Sequence, residues 1–214
     1  MPFKVREICI PAVALVFGGM GFVVCNLIIT LLYWRVWHYN SPVVVTMWLG
    51  LWNYCYLPRD PTDPLNTLKK VCVKMNTSWD FPLEITLSQD LMSFASLLEG
   101  VAFLFVLMGL SCTLKKEPYP EFIKCCYQVS GSFLTLGCTI VLGTIFWNFY
   151  LDSINSHFTY PTAFLLTDFP VKREIGGAIP LGMVSSLLVL QSGAILLAHG
   201  CGVKAIRQIQ PVDI

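Results

Sequence analysis

The sequence predicts a membrane α-helical protein: a bundle of four transmembrane helices with a small extracellular antiparallel β-sheet formed mainly by the first outer loop. The bundle rests on two observations. The chain is 55% hydrophobic and only 13% charged, with a mean hydropathy of +0.65, outside the range of a soluble domain of this size. Four long apolar runs account for that excess. A third observation, the β-branched and aromatic stretch SPVVVTMWLGLWNYCY that follows the first run, gives strands in the first outer loop.

The first run covers residues 8–32. It follows Lys4 and Arg6, yet its apolar length exceeds that of a signal-peptide core and no clear small-x-small cleavage pattern follows, so it reads as a retained helix. The other runs cover 91–110, 129–149 and 175–198. A bilayer core takes about 20 mainly apolar residues per helix, and backbone groups in lipid must find partners within their own segment, which makes each run helical. Residues 1–214 then read as one membrane domain, with outer loops at 33–90 and 150–174 and a cytoplasmic tail at 201–214.

Basic residues near the helix ends set the orientation. Lys4 and Arg6 precede the first helix, Lys115, Lys116 and Lys124 lie between the second and third, and Lys204 and Arg207 follow the fourth. These are half of the 14 Lys and Arg, gathered into three short segments. Both termini are therefore expected in the cytoplasm, at the plasma membrane.

The nine cysteines sort by compartment under this topology. Cys55 and Cys72 alone fall outside, where thiols oxidise, and are expected to form one disulfide. Cys9, Cys25 and Cys138 lie within helices as small apolar packing residues. Cys112, Cys125, Cys126 and Cys201 fall at the cytoplasmic membrane edge, a position that suits either reversible palmitoylation or chance placement. The first outer loop also carries the sequon Asn76-Thr77-Ser78, an acceptor for N-glycosylation. LPRDPTDPLN, rich in Pro and Asp, reads as a long turn between strands.

Trp34 just past the first helix, then Gly50-Leu51-Trp52, then Cys55 and Cys72, resembles the W…GLW…C…C signature of the claudin family and its relatives. LSQDLMSFASLL is similar to the segment with which claudins enter their second helix, EIGGAIPLGM to the start of their fourth, and SGAILLAHGC to its end. Phe158 and Pro161 fall where claudins carry an aromatic and a proline, and together with Tyr160 would be contacts across opposing membranes. The resemblance spans nearly the whole chain. It implies an outer sheet locked by the disulfide and anchored to the helix ends by Gly-Leu-Trp, with Tyr33 and Trp37 left as an aromatic belt at the interface.

By the same resemblance, the expected function is that of a structural component of tight junctions. It would assemble with itself and other claudins, side by side and across membranes, into a paracellular barrier or ion-selective pore. The alternative is a tetraspan accessory subunit of a channel or receptor, because peripheral myelin protein relatives and calcium-channel gamma subunits share the signature. The chain departs from claudins in a longer spacing between Cys55 and Cys72, in Ala95 where an arginine is usual, and in a short tail ending Val212-Asp213-Ile214. Val212 and Ile214 suit addition to a PDZ groove, with the carboxylate held by backbone amides.

From Trp34 to Leu87 the basic residues are Arg35, Arg59, Lys69, Lys70 and Lys74, against Asp60, Asp63, Asp80 and Glu84. The lysines Lys69, Lys70 and Lys74 around Cys72 would favour anions in any pore, or else form a solvated face. Glu99, about 13 Å into the second helix from Asp90 at the helical rise, reads as a neutral carboxyl facing the bundle and hydrogen-bonded to Asn26 or Gln191. The GGMG of Gly18 to Gly21 and the Gly182/Ser186 pair read as close helix packing. His38, His157 and His199 have no metal-ligand spacing, and no catalytic constellation is visible. No enzyme activity, cofactor, metal or nucleic-acid partner is expected; membrane lipid is.

Overall fold

The structure is a computed structural model that describes residues 3–41, 43–59, 69–75, 83–115, 118–154 and 170–207, with backbone only at 3–6 and 202–207. Its elements run α1 (Phe3–Thr30), β1 (Arg35–His38), β2 (Val44–Leu49), β3 (Asn53–Pro58), β4 (Val71–Lys74), α2 (Leu83–Lys115), α3 (Pro120–Ser153), β5 (Lys172–Ile175) and α4 (Ala178–Arg207). Among the described residues, four helices are long and apolar enough to cross a membrane.

The helices outrun the apolar segments that announce them. α2 begins at Leu83 rather than near 91 because its first turns bury Ile85 and Ser88, and Ser88 Oγ returns its hydrogen to Glu84 O at 2.6 Å. Glu84 in its first turn and Lys115 in its last oppose the helix dipole favourably. α3 starts at Pro120, where a missing N–H costs nothing. α4 is shorter at its start than expected: Glu174 and Ile175 belong to a strand, and the helix begins after Gly176-Gly177.

Two compact units emerge. The first takes Met1–Cys25, Ser93–Leu142 and Met183–Ile214. Ala14, Ala102, Val106, Tyr127, Leu134, Cys138, Val189 and Leu196 are buried together in it. Small residues bring α1 onto α4: Ser192 Oγ donates to Ala14 O at 2.6 Å and Ser185 Oγ to Gly21 O at 2.7 Å. A Cβ at Gly21 would lie 3.0 Å from the Ser185 carbonyl, whereas one at Gly19 would meet nothing within 4 Å. Of the GGMG glycines, Gly18 and Gly21 therefore serve the packing and Gly19 does not. Gly131 of α3 and Gly193 of α4 approach each other's carbonyl oxygens just as closely, and Cys138 Sγ donates to Ser186 O at 3.2 Å. Glu99 is 1% exposed, beside Gly137, and its Oε2 has no hydrogen-bond partner among the described residues. Gln191, one of the two partners expected for it, is instead on the exposed face of α4.

The second unit takes Asn26–Met92 and Gly143–Gly182 and holds a five-stranded sheet in the order β4-β3-β2-β1-β5. All four pairings are antiparallel. Trp37, Tyr39, Val44, Met47, Leu49 and Tyr54 form its core, joined by Ile85 from the start of α2. In β2, alternation of buried and part-exposed residues breaks at Thr46-Met47, beside a register shift against β3. Trp37 is 2% exposed, so it is a core residue of the sheet and not a member of an interfacial belt.

Candidate functional site

The signature residues meet at the turn joining β2 to β3, and each does something different there. Gly50 N–H donates to Asn53 O at 2.9 Å, closing the turn. A side chain at Gly50 would press on the Leu31 carbonyl and Leu32 Cα, so only glycine lets the turn lie against the chain leaving α1. Leu51 is 2% exposed, and its carbonyl accepts from Gln89 Nε2 of α2 at 2.6 Å. Trp52 has an exposed side chain, and its carbonyl accepts from Met75 N at 2.9 Å.

Trp34 is buried and tied at both ends. Its backbone N–H donates to Leu49 O at 3.1 Å, and its indole Nε1 donates to Ile28 O at 3.0 Å in the last turn of α1. A helix leaves its last four carbonyls without α-helical partners, and the indole adds a second donor to one that already accepts the Leu31 N–H at 3.2 Å. Beyond β5, Gly176 packs against the Tyr33 and Trp34 backbone so tightly that no Cβ would fit, while Ala178 N–H donates to Tyr33 O at 3.0 Å. The EIGG segment is thus a strand end and a close turn before the helix.

Cys55 and Cys72 are bonded, and they are directly opposed residues of β3 and β4. Burial, with Tyr56 beside it, pushes the neighbouring Tyr54 hydroxyl up from its ordinary 10.0. The three lysines beside the disulfide are not equivalent. Lys69 and Lys74 are exposed, whereas Lys70 Nζ stands 4.4 Å from the Trp48 ring centroid and 5.1 Å from that of Tyr33, a cation–π arrangement. Arg35, counted by sequence among the loop charges, is 4% exposed and so adds no charge to that surface.

Two polar clusters that sequence reasoning missed fix β1. Arg35 Nη2 donates to Asn148 Oδ1 of α3 at 2.9 Å, and Asn148 Nδ2 donates to Ser88 Oγ at 2.8 Å and to Thr144 O at 2.9 Å. Trp37 Nε1 donates to Asp152 Oδ1 at 3.1 Å, Arg173 Nη1 donates to Asp152 O at 3.2 Å, and the Arg173 guanidinium lies 5.6 Å from the Trp37 ring centroid. The visible signal for the first was an asparagine inside the apolar FWNFY. On β5, Lys172 Nζ donates to Glu174 Oε1 at 2.6 Å, and His38 Nε2 lies 3.5 Å from the same oxygen. The hydrogen bond and charge of Lys172 hold the Glu174 carboxyl below its ordinary 4.5, with a smaller contribution from His38.

Of the cysteines considered for lipidation, Cys125 and Cys201 are exposed and Cys112 is part-buried. Cys126 is 1% exposed, packed where α2 meets α3 at Gly109, and is unavailable for acylation. Asn76, Phe158, Tyr160, Pro161, Val212 and Ile214 lie outside the described residues. Among the described residues, no group of His, Cys, Asp and Glu is placed to hold a metal ion.

No family model matches the chain. It is similar to claudin-8 of Mus musculus, 26% identical over 191 residues that cover 88% of this chain and 79% of that protein. It is 26% identical to claudin-16 of Homo sapiens over 165 residues, 76% of this chain and 66% of that one. With claudin-2 of Mus musculus the identity is 27% over 187 residues, covering 86% and 75% respectively.

Proposed function

Because the chain is a distant, divergent relative of the claudins, a non-enzymatic structural family, and a multi-pass membrane protein, we propose that it is a structural component of tight junctions. In this reading the four helices make one membrane domain with both termini in the cytoplasm. The sheet stands outside the cell and mediates adhesion by assembling with copies of itself and with other claudins, in one membrane and across two.

The observation that carries the reading is the joint placement of Trp34, Gly50 and Leu51 at the helix-end turn of a sheet cross-linked by Cys55 and Cys72. A small sheet outside the membrane has little core of its own, and a cross-link plus helix anchors supply the stiffness that adhesive contact needs. Lys69 and Lys74 would present charge to a paracellular path, while Lys70 spends its charge on two rings. Phe158, Tyr160 and Pro161 would supply the contact across membranes, Asn76 would carry the glycan, Cys125 and Cys201 would be acylated, and Val212 and Ile214 would engage a PDZ scaffold.

The test is freeze-fracture imaging of cells that lack junction strands and express the protein or its Cys55→Ala variant. Continuous strands at cell contacts, lost in the variant, are the expected result. Protein spread evenly over the surface without strands, co-purifying with one channel or receptor, would overturn the reading in favour of an accessory subunit.

A further inference from the structure

A polar side chain on the lipid side of a membrane helix is costly, and its presence asks for a partner. Gln191 lies on the exposed face of α4. At the helical rise it is about 20 Å from Ala178 and about 15 Å from Cys201, the ends of the span, so its short side chain reaches neither interface. Two other exposed polar groups in the spans satisfy themselves: Ser132 Oγ donates to Gln128 O and Thr139 Oγ1 to Thr135 O, both at 2.8 Å. The Gln191 carboxamide makes no hydrogen bond to any described residue.

Its neighbours on that face form a seam. Val184, Leu187, Gln191, Ala194 and Ala198 are all exposed. Successive steps of three and four residues place them in one line down the helix, the spacing of a coiled-coil contact. Ala194 and Ala198 let a second backbone come close, while Val184 and Leu187 are exposed by 51% and 58%, large enough to interdigitate.

The chemistry of the carboxamide selects the occupant. It carries both a donor and an acceptor, so the group that satisfies both at once is another carboxamide approached head to tail. A second copy of the chain related by a two-fold axis supplies it, in a self-complementary contact. A lipid tail supplies neither half.

We propose that α4 pairs two copies of this chain within one membrane, through the seam centred on Gln191, with reciprocal hydrogen bonds between the two Gln191 carboxamides. The pairing is lateral and independent of strand formation or of an opposing cell.

The test uses the purified full-length chain in dilute phosphatidylcholine vesicles, with association read by energy transfer between donor- and acceptor-labelled copies. Gln191→Leu should weaken association roughly three- to thirty-fold, the range that interhelical hydrogen bonds support, while Gln191→Asn retains most of it. In a background with Cys9, Cys125 and Cys201 replaced by serine, Ala194→Cys should cross-link between copies and Met108→Cys, on the exposed face of α2, should not. An intact Cys55–Cys72 bond and unchanged thermal unfolding show that each variant is folded. The proposal is overturned by a wild-type chain that does not associate, by Gln191→Leu associating as well as wild type, or by equal cross-linking at both cysteines. Gln191-dependent association seen only in cell membranes also overturns it, by making the partner a different protein's helix.

Discussion

Trp34 donates its indole N–H to the carbonyl oxygen of Ile28, 3.0 Å away, so the first residue to turn into the sheet also caps the helix it has just left. Trp34→Phe keeps most of the buried ring and removes the bond. It should lower unfolding stability in detergent by about 0.5–1.5 kcal/mol, since the Ile28 carbonyl loses one of two donors and keeps the Leu31 N–H at 3.2 Å. Trp34→Ala, which also opens a cavity, should cost about 3–5 kcal/mol. Thermal unfolding of the two variants checks both, and a Trp34→Phe variant as stable as wild type would mean that the hydrogen bond contributes nothing.

Gly176 and Gly177 look alike in sequence and should behave oppositely. A methyl at Gly176 collides with the Tyr33 and Trp34 backbone, while one at Gly177 meets nothing within 4 Å. Gly176→Ala should destabilise by roughly 1–3 kcal/mol or more, because backbone must shift. Gly177→Ala should stay within about 0.5 kcal/mol of wild type. Surface delivery and thermal unfolding distinguish the pair.

Asn148→Leu fits an apolar helix face but withdraws the oxygen that receives Arg35 and the donor to Ser88. A hydrogen bond to a buried cation is worth more than a neutral one, so the loss should be about 2–3 kcal/mol. Amide hydrogen exchange should quicken in β1 before it does in β3 and β4, which the disulfide holds. Uniform loss of protection would argue against a local role for Asn148.

Glu174 gives a pH signature. Its folded-state carboxyl sits below the ordinary 4.5 because Lys172 favours the charged form. Its contribution is therefore present above about that pH and is lost as pH falls through the depressed folded value. The stability difference between wild type and Glu174→Gln should be constant from neutral pH down to the unfolded value and close below it. Paired unfolding curves from pH 7 to pH 3 measure this, and a gap that widens in acid would contradict it.

The helices could be read directly because lipid imposes a long apolar run on each, and the disulfide because compartment left two eligible thiols. Helix ends were less visible. Ile85 is helical because it packs against the sheet, and Ser88 because it meets Asn148 of α3, tertiary causes that no local pattern carries. β5 was hidden for a related reason: KREI has three charged residues of four, and its strand character comes from pairing with β1 alone. Trp37 and Arg35 looked like surface residues by type and are buried because Asp152 and Asn148 wait for their polar ends. The Gln191 face was misjudged because a polar residue in a span ordinarily points inward, and here the helix phase set by Val189, Ser192 and Leu196 turns it out.

The pairing of β1 with β5 also sets an order of events during synthesis. β1 emerges from the ribosome directly after α1, whereas β5 follows only after α2 and α3 have been made. β2, β3 and β4 come in succession and can pair with β1 and be cross-linked while the chain is still growing. The β1 edge stays open until late in translation, with its unpaired backbone groups available to any competing strand. Closure of that edge is therefore a checkpoint for completeness: a chain truncated before Lys172 would carry a finished disulfide and an unfinished sheet, the kind of surface that quality control retains.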